Sequence, residues 1–161
     1  MRFFLPSLAV LASFILPNSL NAGDILEDTF PVKQAEVAKA VHDVFKAAER
    51  GDAGRLDALH LYGPKFSKFD DVPPFTRQDA AATRESERTA LSRLTSFSAT
   101  VEDLKVDVLG RVAVATFVVR CSFETPDASG SSSARSTMVF VENAGAWRIV
   151  HEHFSRLDAE E

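Results

Sequence analysis

The stretch "SATVEDLKVDVLGRVAVATFVVRCSFE", Ser98–Glu124, decides the fold. Upstream of it apolar residues recur at helical spacing; within it the period drops to two. Leu104, Val106 and Val108 fall on one face of an extended segment and Asp103, Lys105 and Asp107 on the other, the pattern of a half-buried strand. Gly110-Arg111 supplies a tight turn. Val112–Glu124 is then apolar on both faces, as a strand central in a sheet is. The loop "TPDASGSSSA" leads into two more strands, "RSTMVFVE" and "AWRIVHEHFSRL", joined by "NAG".

Ahead of the strands the spacing predicts helices. Val37, Ala40, Val41, Val44, Phe45 and Ala48 line one helical face, and Gly51 stops it. In "AGRLDALHLY" a short second helix points Leu56, Leu59 and Ala58 inward before Gly63-Pro64. "KFSKFDD" reads as a short strand with Phe66 and Lys68 on one face and Ser67 and Phe69 on the other; "VPPF" cannot extend it. A third helix follows, capped by Thr76 or Asp79, with Ala80, Thr83, Ala90, Leu91 and Leu94 inward. Helices first, then antiparallel strands on short loops, give an α+β fold with helices packed on one face of a curved sheet.

The first residues form a leader. Arg2 precedes the apolar run Phe3–Leu16, and Ala22 offers a small residue at a cleavage position, the plan of a signal peptide over residues 1–22. The run is shorter than the roughly 20 residues a spanning helix needs. The expected order is signal peptide 1–22, a flexible mature N-terminus 23–32, one domain over 33–157, and a tail 158–161. Export to a periplasm or the outside follows, with no stable membrane insertion once the leader is removed. The chain carries a net charge of −5, made one unit more negative by loss of Arg2, and lacks a Lys/Arg cluster, so nucleic acid is not an expected partner. Cys121 is the only cysteine and lies in an apolar run, which favours a buried, inert thiol.

The chemistry centres on "AWRIVHEHFS", Ala146–Ser155. Regular alternation puts Trp147, Ile149, His151, His153 and Ser155 on one strand face. His151 and His153 could share a metal with a third ligand such as His42 or His60, but no spacing forces these together, and neither a metal nor a cofactor is expected. Arg120 and Arg135 carry guanidinium groups suited to a carboxylate; the alternative is that they pair with Glu152, Glu124 or Asp70. Ser155 lacks the G-x-S-x-G elbow of a serine nucleophile.

Several segments resemble SnoaL-like domains of the nuclear transport factor 2-like superfamily: the first helix ending in "ERGD"; "FSKFDD" followed by "PPFTR"; "VEDLKVDVLGRVAVATFVVR"; and "RSTMVFVENAGAWRIVHEHFS", with Arg135-x-Thr137, Gly145-x-Trp147-x-Ile149 and His153-x-Ser155. The C-terminal part is also similar to the association domain of calmodulin-dependent protein kinase, through its Trp-to-His-x-His-x-Ser run and an arginine placed as Arg120 is. The resemblance covers residues 33–157 and implies a cone-shaped α+β fold. Together with the leader and these arginine and histidine side chains, it leads to the expectation of an exported small-molecule-binding protein with a partly apolar pocket, whose ligand carries a carboxylate or carbonyl group. Arg120, Arg135, Thr137, Trp147, His151, His153 and Ser155 are then the ligand-binding candidates. An isomerase, cyclase or hydrolase-like reaction stays open, with Asp70 and His153 as catalytic candidates. A homodimer is expected, and the alternative reading is a non-catalytic dimerisation or interaction module.

Overall fold

The computed structural model describes residues 29–157. The expected signal peptide, residues 23–28 and the tail 158–161 lie outside the described residues. Helix α1 is Pro31–Glu49, with Pro31 in the first turn, where its missing N–H costs nothing. Helix α2 is Ala53–Leu59, capped by Asp52, whose carboxylate accepts from Arg55 N at 2.8 Å. Strand β1 is Ser67–Phe69, and helix α3 is Ala80–Arg93. Asp79, not Thr76, caps α3, accepting from the N–H groups of Ala81 and Ala82. Four long strands complete the fold: β2 Ser96–Leu109, β3 Val112–Glu124, β4 Ser129–Asn143 and β5 Ala146–Arg156.

The sheet runs β1-β5-β4-β3-β2, antiparallel except for the short parallel pair of β1 with β5. The hairpin from β4 to β5 turns on Ala144 and Gly145, both at positive φ, as a two-residue turn matched to strand twist requires. Val37, Val41, Val44 and Phe45 of α1 are buried with Ala113, Ala115 and Phe117 of β3 and Met138 and Phe140 of β4. The alanines on β3 leave room for the helix, and Phe45 meets Phe117 edge-on at 5.9 Å. In α1 Ala47 is fully buried and Ala48 only partly. Ala58 and Ala90, expected inward, are exposed: α2 and α3 each turn a narrower face to the core than the spacing suggested.

Two irregularities set which side chains face the helices. In β2 the register shifts between Glu102 and Lys105, with Asp103 at φ 50°. The inward set passes there from Val101 to Leu104, Val106 and Val108. In β5, Val139 pairs with His151 but Phe140 pairs with Ile149, so Val150 is an extra residue. Side chains alternate strictly along a strand, so one inserted residue exchanges the faces of everything beyond it.

Candidate functional site

The bulge at Val150 corrects the expected row. Trp147 and Ile149 are buried against the helices, and the Trp147 indole N–H donates to Glu36 Oε2 at 3.1 Å. Past Val150 the inward position passes to Glu152, while His151, His153 and Ser155 turn to the opposite, open face. Trp147 therefore does not share a face with the histidines.

On the open face His153 stands opposite Thr137, and Ser155 opposite Arg135. Ser67 Oγ and His151 Nδ1 are hydrogen-bonded at 3.0 Å. The Phe69 ring lies 6.4 Å from that of His151 and 5.7 Å from that of His153. Arg120 lies on this face too, one diagonal step from Arg135, since Arg120 pairs with Ser133 and Arg135 with Val118. Six of the seven candidates thus share one face. Arg120 takes neither Glu152, Glu124 nor Asp70 as a partner: its Nε donates to Glu102 Oε2 at 2.9 Å and its Nη1 to Ser133 Oγ at 3.2 Å. Asp70 lies on the helix side, its carboxylate accepting from the Asp71 N–H and standing 3.5 Å from Lys68 Nζ. Asp70 and His153, the two catalytic candidates, are on opposite sides of the sheet.

The helix side carries an ionisable cluster. Lys68 on β1 is turned inward beside Phe66, with its side chain 9% exposed. Its Nζ is 3.1 Å from Glu87 Oε1 and 3.5 Å from Glu152 Oε2. Glu87, on α3, also accepts from the Tyr62 hydroxyl at 3.0 Å. His60 follows α2 and is held beside β5 by a bridge to Ile149. Its Nδ1 carries the proton, because it donates to the Leu56 carbonyl at 2.8 Å. Its Nε2 lies 3.2 Å from Glu152 Oε2, in a pair whose side chains are 0% and 2% exposed. The two atoms are close but misaligned, so neither makes a hydrogen bond of good geometry.

The tautomer fixes the charge. With Nδ1 donating to a carbonyl, a neutral ring would point a lone pair at the Glu152 carboxylate; an imidazolium is attracted to it. Burial works against that charge, and Glu152, Glu87 and the Leu56 carbonyl together outweigh burial, so the His60 pKa is raised. Burial likewise disfavours the Glu152 carboxylate, but Lys68 and His60 hold its pKa down at about 2. Lys68 is pushed up, its three carboxylate neighbours outweighing burial, and burial with Glu87 pushes Tyr62 up. Lys68, Glu152 and Tyr62 are thereby each held in one protonation state at neutral pH. Oxygen and nitrogen atoms of His60, Glu87 and Glu152 lie within 4.8 Å of one another, a donor set of the kind that holds a divalent metal. Lys68 Nζ reaches the same two carboxylates and already supplies cationic charge there.

Sequence reasoning missed this cluster as a unit. The inward turn of Lys68 is legible in its alternation with Phe66. The burial of Glu152 is not, because the bulge that turns it inward leaves no mark in "RIVHEH". Elsewhere an open cleft of about 190 Å³ is lined by Glu49, Arg50, Leu91, Leu94 and Phe97. Its Glu49 carboxylate accepts from the Ala99 N–H, and the cleft brings together no comparable group of ionisable side chains.

The family model for the SnoaL-like domain matches residues 37–159. Among solved structures the chain is similar to a nuclear transport factor 2-like superfamily protein from Salmonella enterica, at 17% identity and TM-score 0.72, covering 81% of this chain and 95% of that one. It is similar to a Streptomyces avermitilis protein assigned as a dehydratase of the same family, at 19% identity and TM-score 0.73, covering 81% of this chain and 100% of that one. A Xanthomonas campestris protein assigned as a calcium/calmodulin-dependent protein kinase II association domain is similar at 18% identity and TM-score 0.65, with 81% and 93% covered. No curated protein matches the sequence.

Proposed function

Because the chain belongs to the SnoaL-like domain family, we propose that it is an exported, self-associating member whose open sheet face pairs with a second copy. One observation carries the reading. Val112 and Val114 on β3 stand beside Val141 and Val139 on β4, Val118 lies further along β3 between Arg135 and Glu102, and no described helix covers them. A half-exposed row of valines across two central strands is costly to leave in water. Around it lie paired charges of both signs, Arg120 with Glu102 and Lys105 with Asp107. An apolar centre with a mixed polar rim suits a twofold contact, in which the same patch meets itself without like-charge repulsion. The similarity to a protein assigned as an association domain agrees with this. Export rests on the leader composition of residues 1–22.

A second reading is favoured by the patch of Arg135, Thr137, His153 and Ser155 beside Phe69. These groups supply a guanidinium, hydroxyls and imidazole on one face, the chemistry that takes up a small carboxylate or carbonyl compound. The partner copy would then close a shared pocket over it. Native mass spectrometry of the mature protein from the exported fraction tests both. An N-terminus at Gly23 supports export, and a dimer mass supports self-association. Extra mass lost on denaturation supports the ligand. A bare monomer overturns both readings.

A further inference from the structure

The helix-side cluster is separate from the open face, and neither reading above uses it. Glu87 is seated there as a bound carboxylate would be. Its two oxygens each take a different donor, Lys68 Nζ on Oε1 at 3.1 Å and the Tyr62 hydroxyl on Oε2 at 3.0 Å. The walls of the seat are aromatic: Tyr62 stacks on His60 at 4.9 Å and meets Phe66 at 4.8 Å, and Phe154 lies 5.2 Å from Lys68 Nζ. Behind it, the buried His60 Nε2 and Glu152 Oε2 lack well-aligned hydrogen bonds, which is unusual for buried polar atoms.

The helix that brings Glu87 is loosely held. Within α3 only Thr83 is fully buried. Ala80 and Leu91 are partly buried against the core, and the remaining side-chain ties are polar: Arg84 and Arg88 reach Asp57 at 3.6 and 2.7 Å, and the Arg84 guanidinium lies 4.4 Å from the centre of the Tyr62 ring. Ion pairs this exposed add little each. Its two ends are anchored, the N-terminal one by two hydrogen bonds between the Gln78 and Lys68 backbones and the C-terminal one by the Thr95 N–H donating to the Glu124 carbonyl at 2.8 Å. An outward shift of the middle of α3 between those anchors would free Lys68 and Tyr62, with Leu91 the main apolar contact given up.

We propose that Lys68 and Tyr62 form a binding site for a small aromatic or aliphatic monocarboxylate, occupied in this structure by the protein's own Glu87, with the middle of α3 as the cover that shifts outward when the ligand enters. Charge selects the class. A monocarboxylate replaces Glu87 one for one, so the buried balance among Lys68, His60 and Glu152 is kept. A neutral ligand would leave Lys68 undercompensated, and a phosphate dianion would crowd Glu152 and Asp70.

The test titrates the full mature chain with sodium benzoate, and with acetate as the smaller probe, against sodium chloride at equal ionic strength. Binding is read by amide chemical shifts in NMR. Glu87→Gln weakens the internal competitor and is expected to tighten benzoate binding by at least about tenfold. The shifts should centre on Tyr62, Lys68 and α3. Tyr62→Phe in the Glu87→Gln background keeps the ring and is expected to lower that affinity several-fold, and Lys68→Met to abolish it. Equal affinity in wild type and Glu87→Gln, shifts confined to the open face, binding unchanged by Tyr62→Phe, or no binding in a folded Glu87→Gln protein would each overturn the proposal. Dimer mass does not enter these readouts, so the proposal and the self-association reading fail separately.

Discussion

Replacing Lys68 with Met is the sharpest test of how the helix side is held together. The Met side chain keeps most of the stem packed beside Phe66 and Phe154 and removes only the ammonium. Three carboxylates lose their common cation: Glu87 at 3.1 Å, and Glu152 and Asp70 at 3.5 Å. Breaking a buried pair by deleting one partner costs about 3–5 kcal/mol, because the remaining charge stays desolvated. Two features move the value to the lower end. Glu87 and Asp70, with side chains 15% and 20% exposed, can turn toward water. Glu152 cannot, but keeps His60. A loss of about 3 kcal/mol follows, which for a domain of this size lowers Tm by about 10 °C. Thermal unfolding followed by circular dichroism at pH 7 gives the number, with urea unfolding as a second measure. Lys68→Met combined with Glu152→Gln should recover at least half the loss, since the stranded charge is then gone. A fall in Tm under about 3 °C for the single variant, or no recovery in the double, would refute the reasoning.

Stability should also depend on pH in a stated direction. The His60 pKa is raised in the folded state, so its contribution is complete below the unfolded value near 6.5 and is lost as pH rises through the folded value. Glu152 works the other way: its contribution is present above the unfolded value of 4.5 and is lost as pH falls toward 2. Tm measured from pH 3 to 9 should be highest between these flanks, and His60→Gln should flatten the alkaline one. On the open face, Val118→Lys should shift the native mass from dimer to monomer while leaving far-ultraviolet circular dichroism unchanged; a dimer that survives it would place the contact elsewhere. Cys121 is half-buried, and burial pushes its thiol up to about 11. Thiol labelling at pH 8 should therefore run about a hundredfold slower in the native protein than in urea.

Most of the architecture was legible because it follows from periodicity. The change of spacing after Phe97, the apolar Val112–Glu124 run, and the turns at Gly110 and Gly145 all correspond to real boundaries. What periodicity misses is a change of phase inside one element. At Asp103 the change matters little, since the inward set Leu104, Val106 and Val108 follows from its own alternation. In β5 it mattered more. Counting from Trp147 put the histidines with the core, and Val150 carries no Gly or Pro to mark a bulge. Lys68 falls on the same face as Phe66 by alternation, yet a lysine on a core-facing position means little until its counter-charges are known. Those come from Glu87 and Glu152, 19 and 84 residues further along, and no local signal joins them.

The bulge at Val150 also makes length, as distinct from identity, a determinant of what each side of the sheet can do. A substitution in β5 alters one position on one face. Deleting one residue there would turn over the whole segment beyond it: Glu152 would leave Lys68 and His60 for the open face, and the two histidines would enter beneath the helices. The strand behaves as a frame-shifted ribbon, and a one-codon change in the gene would exchange the chemistry of both surfaces in a single step.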